Sequence, residues 1–270
     1  GSGMNLQNQP HRAYPMFIAD EGYMLSYFDL RQAEAKVVAY LWNVQGLKDS
    51  FIRAETDGYD VHRANAARIF KVDYEDVPTY DREPDDTPTL RFLGKKCVHG
   101  LNYRMQAPRL AEDCGIPLQQ AFEAYSSYHR AFPEIQQGWD DTIKTVREER
   151  MLFTPLGRRL IWLERLTEES FDSVIAFRPQ STIGDKVSSV IYLCHDDPEW
   201  PDDARMLLNI HDALIAIHRP EDAEVVQRVM KRHAEAPIII RGEPVSILTD
   251  FKQSVADEKG IHRWSTLKDV

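Results

Sequence analysis

The stretch Met24-Leu25-Ser26-Tyr27-Phe28-Asp29-Leu30-Arg31-Gln32-Ala33-Glu34 decides the fold class. Met24 to Asp29 is apolar with an added Tyr and Phe, the composition of a strand, and it ends on an acid. From Gln32 to Val44 the apolar residues Ala33, Val37, Val38 and Leu41 return at helical spacing, which predicts a helix facing a core. A strand therefore delivers a carboxylate directly in front of a helix. Far downstream, Met206–Ile210 and Ala213–Ile217 are two short apolar runs with His211-Asp212 between them, a hairpin with its polar pair at the turn. Sheet pairing can bring Asp29 and Asp212 side by side, and two adjacent carboxylates repel unless cations lie between them. Alone, each Asp is equally well a turn residue or a cap.

Between the two acids the pattern is mostly helical. Asp60 is an N-cap for a helix to Phe70, and Val72–Pro88 is a Pro- and Asp-rich loop. Helices follow over Thr89–Tyr103, Arg109–Cys114, Leu118–Phe132 and Pro133–Arg150. Met151–Phe153 and Arg159–Trp162 flank Pro155-Leu156-Gly157 as a hairpin. Ser181–Leu193 and Asp222–Ala234 are helical, and Pro237–Ile240 and Val245–Leu248 read as closing strands. The segment through Ala19 reads as an irregular lead-in, and Trp264 as packing for the tail. The expected class is α+β, a small antiparallel sheet with a helical insertion between its acids.

Arg91, Lys95, His99 and Tyr103 are each four residues apart. Such steps drift by about 40° around a helix, so the four form one slanted stripe. Arg91 and Lys95 suit phosphate oxygens, one by bidentate contact and one as a point charge. His99 and Tyr103 lie further along, where a sugar and base can stack, and Gly100 leaves room for close approach. By itself the stripe reads more readily as an ordinary solvated basic face with a core Tyr. Paired carboxylates that share divalent ions, with a cationic helix face between them in sequence, are what nucleotidyl transfer needs.

The chain has 270 residues, enough for one large domain or two subdomains. Its net charge of −10 argues against nucleic acid for the surface as a whole. Bases nevertheless cluster at 91–96, 147–150 and 157–165, so a locally basic groove fits. No apolar run approaches a membrane span. Cys97, Cys114 and Cys194 have no metal-ligand spacing and read as reduced thiols of a cytoplasmic protein. Phosphate-loop, dinucleotide-binding, nucleophile-elbow and zinc patterns are missing.

At this point several segments together resemble the family A DNA polymerases, the DNA polymerase I type. Asp29-x-x-Gln32-x-Glu34 is similar to the family's D-x-S-Q-x-E, and Asp60-Val61-His62-Arg63 to its D-I-H-R. Arg91-x3-Lys95-x3-His99-Gly100-x2-Tyr103 is similar to R-x3-K-x3-F/Y-G-x2-Y-G. Thr154-x-x-Gly157-Arg158-Arg159 matches T-x-x-G-R-R, and Gln180-Ser181-Thr182-x-x-Asp185 resembles Q-G-T-A-A-D in part. His211-Asp212 matches the H-D of the last motif, and Asn5-Leu6-Gln7-Asn8-x-Pro10 the N-L-Q-N-I-P segment. The resemblance runs from Asn5 to the C-terminal strands.

The resemblance implies template-directed DNA synthesis by a DNA-directed DNA polymerase. Asp29 and Asp212 would bind two Mg²⁺ ions, for which Mn²⁺ can substitute. Glu34 would be the steric gate against a ribose 2′-OH. His62, Arg91 and Lys95 would contact the dNTP triphosphate, with Lys95 also protonating the leaving pyrophosphate and Arg12 nearby. His99 would lie beside the sugar and Tyr103 by the templating pair. Gln180, Arg158 and His211 would face the primer-template DNA. The implied layout is a tag scar at 1–3, palm at 4–58, fingers and connecting helices at 59–165, and palm again at 166–270, with thumb and exonuclease absent. Met4 directly before the Asn-Leu-Gln-Asn segment points to an engineered truncation or a split gene. A split gene would make a thumb-bearing polypeptide a partner, without which the chain is a weakly active or inactive nucleotide-binding part. A single-subunit RNA polymerase is disfavoured by Glu34 and the D-I-H-R-like segment. Departures mark a divergent, phage-like member of a bacterial or phage-infected cell. His99 replaces Phe or Tyr, Arg31 replaces Ser, Arg104 and Ser181 replace Gly, and Ala213 replaces the acid after H-D.

Overall fold

The computed structural model describes residues 9–270. The expected tag scar, Met4 and most of the Asn5–Pro10 motif lie outside the described residues. Two compact units emerge, one from the residues through Ala33 together with Ser181–Val270, the other from Glu34–Gln180.

In the first unit β1 (Met24–Leu30) is the middle strand of a five-stranded antiparallel sheet. In chain order the α-helices among the described residues are α1 (Ala33–Leu41), α2 (Gln45–Asp57), α3 (Val61–Phe70), α4 (Leu90–Asn102), α5 (Ala107–Cys114), α6 (Leu118–Ala131), α7 (Pro133–Glu149), α8 (Glu168–His195) and α9 (Ala223–Glu235). The remaining strands are β2 (Met151–Phe153), β3 (Arg159–Ile161), β4 (Arg205–Ile210), β5 (Ala213–His218), β6 (Ile238–Ile240), β7 (Glu243–Val245), β8 (Thr249–Ala256) and β9 (His262–Asp269). The large sheet has the order β4-β5-β1-β8-β9. Every residue of β5 is buried, as befits an Ala-Leu-Ile-Ala-Ile run inside the sheet. His218 at its end is tolerated because Ser26 lies 2.7 Å from its Nε2. Leu25, Ile215, Ile217 and Trp264 form one core, with Tyr14 stacked on Trp264 at 3.9 Å. Tyr14 comes from a 3₁₀ turn over His11–Met16, so the lead-in is ordered against the sheet rather than irregular.

The closing strands differ from expectation. β6 and β7 form a separate two-stranded hairpin, turned by Arg241 and Gly242 with φ +53° and +83°. The sheet is closed instead by β8 and β9, which carries Trp264.

The second unit is helical apart from the β2–β3 hairpin. Asp60 caps α3 by accepting from the His62 and Arg63 N–H groups, and Thr89 caps α4 through the Phe92 N–H. α3 and α4 cross closely at Gly94, where a Cβ would lie 2.6 Å from that of Ala66. The helix expected from Gln32 to Val44 is shorter, because Asn43 takes φ +56° and α2 starts anew at Gln45. The helix expected over Ser181–Leu193 begins much earlier, at Glu168, and runs through Pro179. Val146, Leu152 and Val174 centre a core that joins α7, the hairpin and the start of α8. All three cysteines are free and buried. No described helix is long and apolar enough to cross a membrane.

Candidate active site

Strand register places the acids. Asp29 pairs with Ala213 of β5 on one side and with Asp250 of β8 on the other. His211 and Asp212 form the two-residue turn between Ile210 and Ala213, with His211 at φ +56°. The Leu30 N–H donates to the Asp212 carbonyl at 3.1 Å, so the turn sits beside the end of β1. Tyr27, two residues before Asp29 and on the same strand face, records the charge gathered there. Its phenol is pushed up by burial and then by Asp29, Asp212, Tyr14 and Asp250. Arg31 donates to Asp250 at 2.5 Å, which gives that carboxylate a counter-charge.

No three His, Cys, Asp or Glu side chains among the described residues form a ready metal cage. Asp29 and Asp212 are still a fitting donor set for Mg²⁺, which takes one or two carboxylates and fills its other places with water and phosphate. Arg12 lies on the 3₁₀ turn of the same unit and is exposed.

In the helical unit, His62, Arg91 and Lys95 gather at the start of α3 and along α4. Burial drives His62 down to about 4, helped by the charges of Lys95 and Arg91. Its Nδ1 is buried without a hydrogen-bond partner. Arg91 is gripped by two acids: its Nε donates to Asp60 at 2.8 Å and its Nη1 to Asp81. Burial would raise the Asp60 carboxyl, but hydrogen bonds from Arg91 and the Arg63 N–H hold it below the usual range. Lys95 and His99 are exposed. Tyr103 is the C-cap of α4 rather than a helical residue, with φ −122° and ψ 42°. The stripe thus bends away at its last member.

Glu34, in the first turn of α1, is held from two sides. Gln180 Nε2 donates to its Oε1 at 3.0 Å, and His99 Nδ1 stands 3.6 Å from its Oε2. Tyr103 is close by; burial first and the Glu34 charge second push its phenol up. His99 meets the Tyr103 ring edge-on at 5.5 Å. Gly100 does not open space for a base. A Cβ there would lie 2.5 Å from the Met105 sulfur, so this glycine serves packing. Arg158 is exposed in the β2–β3 turn, where its N–H bonds Thr154 Oγ1 at 3.0 Å and Gly157 takes φ +89°. The Thr-x-x-Gly-Arg spacing is the chemistry of that turn.

Asp250 and Asp81 were missing from the expected site. Alternation through Thr249-Asp250-Phe251 was the available signal for the first. For the second it was an acid ten residues before Arg91.

The model for DNA polymerase family A matches residues 2–250. The chain belongs to this family. It is 30% identical over 246 residues to the thermostable DNA polymerase I of Thermus aquaticus, covering 87% of this chain and 28% of the relative. DNA polymerase I of Pseudomonas aeruginosa is 29% identical over 238 residues, 83% of this chain and 25% of that one. The chain therefore spans little more than a quarter of the length of these family members. Among solved structures, the POL domain of Pol1 from M. smegmatis, in complex with DNA primer-template and dNTP, shares the fold. Its TM-score is 0.77 at 22% identity, over 97% of this chain and 45% of that one.

Proposed function

We propose that this chain is the palm and fingers of a DNA-directed DNA polymerase. It transfers a nucleotide from a dNTP to a primer 3′-OH under the direction of a template, releasing pyrophosphate. The observation that carries this is the register of β1 and β5, which sets Asp29 beside the Asp212 turn in a member of family A. Asp29 and Asp212 hold two Mg²⁺ ions, with Mn²⁺ as a substitute. Held by these two carboxylates, divalent ions would supply activation of the 3′ oxygen and neutralisation of charge on the leaving group.

The other residues bind, orient and move protons. Exposed Lys95 meets the triphosphate and donates its proton to the departing pyrophosphate oxygen. Arg91, already oriented by Asp60, turns its remaining N–H groups to phosphate oxygens, and Arg12 adds a further charge. Neutral His62 donates a hydrogen bond without adding charge. Glu34 fills the space a ribose 2′-OH needs, beside His99, and Tyr103 stacks near the templating pair. Gln180 keeps a second N–H for the acceptors common to all base pairs in the minor groove. Arg158 and His211 contact the DNA backbone and the primer end. The partners are primer-template DNA and dNTPs, a proposal supported by what the M. smegmatis domain holds.

The test is primer extension at high protein concentration, with Asp29→Ala and Asp212→Ala beside the wild type. Extension by the wild type that both variants lose is the expected result. No extension, together with dNTP binding that Lys95→Ala abolishes, would instead make the chain a nucleotide-binding part completed by another polypeptide. Extension that survives both substitutions would sink the assignment of the acids.

A further inference from the structure

Two of the three cysteines are not isolated. Cys97, in the second half of α4, and Cys114, the last residue of α5, have their sulfurs 3.4 Å apart. A disulfide needs a sulfur separation of about 2.05 Å, so the two sulfurs must close by a little over ~1 Å to bond. Cys97 is fully buried at 0% exposure whereas Cys114 keeps 7%, so of the two only Cys114 retains an edge that a small peroxide can reach. Cys114 is at a helix end, followed by Gly115 in the left-handed conformation with open space around its Cα.

We infer that Cys97 and Cys114 are a paired-thiol modification site that takes a small hydroperoxide and closes to an internal disulfide tying α4 to α5. The two sulfurs have unequal parts. The hydrogen bond from Cys97, followed by the charge of Lys96, lowers the Cys114 thiol, while the same contact and burial raise Cys97. Lys96 is kept there by its bond to the Asp113 carbonyl. The Cys114 thiolate attacks one peroxide oxygen, the O–O bond breaks, and hydroxide leaves to become water with the proton the thiol gave up. Cys114 is then a sulfenic acid. Cys97 attacks its sulfur, the S–O bond breaks, and hydroxide departs as water with the Cys97 proton. Two thiols and one hydroperoxide thus become one disulfide, with hydrogen peroxide reduced to two waters. Cys194, buried elsewhere, with burial first pushing its thiol up to about 12, is the built-in control.

The bridge closes the segment that carries His99 and Tyr103, fixing the half of α4 that presents them. Tying a loop of this length should raise the melting temperature on the order of 5–10 °C. The experiment treats the purified chain with hydrogen peroxide and follows intact mass, free thiols in denaturant, and linked peptides. The expected product lacks two hydrogens, keeps one thiol, links the peptides of Cys97 and Cys114, and melts higher. Cys97→Ser should instead hold a sulfenic acid at Cys114 that a dione reagent traps. Single-cysteine oxygen adducts without loss of the two hydrogens, a bridge to Cys194, or a disulfide dimer would each overturn the inference. The wild-type mass alone decides this even if a variant folds poorly.

Discussion

The two units of the molecule hold their charged groups in opposite ways. At the end of β1 the sheet gathers like charges, Asp29, Asp212 and Asp250 around one phenol, with Arg31 answering Asp250. In the helical unit, cations are met by acids: Arg91 by Asp60 and Asp81, Arg104 by Glu168 and Asp172, Lys71 by Glu123. Gathered carboxylates suit a cation among them, the kind of group the sheet site is proposed to hold. In the helical unit a triphosphate must compete with two acids for Arg91. One site gathers like charges, the other pairs opposite ones.

The largest effect should come from the sheet. Asp29→Asn or Asp212→Asn should lower nucleotide incorporation by about a thousandfold or more, the scale of losing several kcal/mol of metal-based stabilisation. Asp250→Asn should change it by no more than about threefold, because that carboxylate already answers Arg31. Single-turnover incorporation and Mn²⁺ titration of the three variants read this directly. Equal losses in all three would erase the distinction between the acids.

Next in size is a pH effect in the helical unit. His129 on α6 is buried with neither ring nitrogen bonded, and burial lowers it to about 4, as it does His62. Unfolding lets each take up a proton near its ordinary value of about 6.5. Their depressed values therefore stabilise the fold above about pH 6.5, and that contribution is lost as pH falls toward 4. Between pH 7.5 and 4.5 the wild type should lose up to about 2.5 kcal/mol more than His129→Phe in urea unfolding. Parallel losses would show that His129 reaches solvent in the folded state.

A smaller effect tests the restraint on Arg91. Asp81→Asn removes one of its two acids, and dATP should then bind about two- to fivefold more tightly, the worth of a half-exposed ion pair. The gain should shrink in high salt. Weaker binding would mean that Asp81 aims Arg91 rather than competing with the triphosphate.

The contrast between the units also decided what could be read from residues alone. The helix stripe follows a local period, and the expected cap Asp60 and the helix expected from Thr89 fall within a residue or two of their places. Asp29 and Asp212 were legible because each ends an apolar run. Asp250 was not, since its place beside Asp29 depends on β8 pairing across more than two hundred residues of chain. The Ile238–Val245 hairpin competed for the same role, being more apolar than β8 yet outside the sheet. Pro179 hid the start of α8, because a proline argues against helix locally while tertiary packing carries the helix through. Gly100 failed for another reason: its partner Met105 lies past the end of α4, where helical spacing says nothing.

The smallest expected effect concerns the one place where the helical unit pairs a departure from the family with a residue proposed to touch the sugar. His99 Nδ1 stands 3.6 Å from Glu34 Oε2, too long for a hydrogen bond but within reach of an ion pair when the ring is protonated. Gln180 holds the other oxygen, so admitting a ribose 2′-OH means moving a carboxylate restrained on both sides. The His99 side chain is 60% exposed, which limits the contact to a factor of about two. His99→Phe should lower the preference for dATP over ATP by that factor, measured as binding to a dideoxy-terminated primer-template so that no turnover is needed. His99→Asn, which keeps a polar group near Nδ1 but cannot carry the charge, should lose as much as His99→Phe. In a Glu34→Ala background, where the preference is already lost, His99→Phe should add nothing. A loss in that background would place the effect of His99 on the nucleotide itself, whereas a preference untouched by Glu34→Ala would remove the gate.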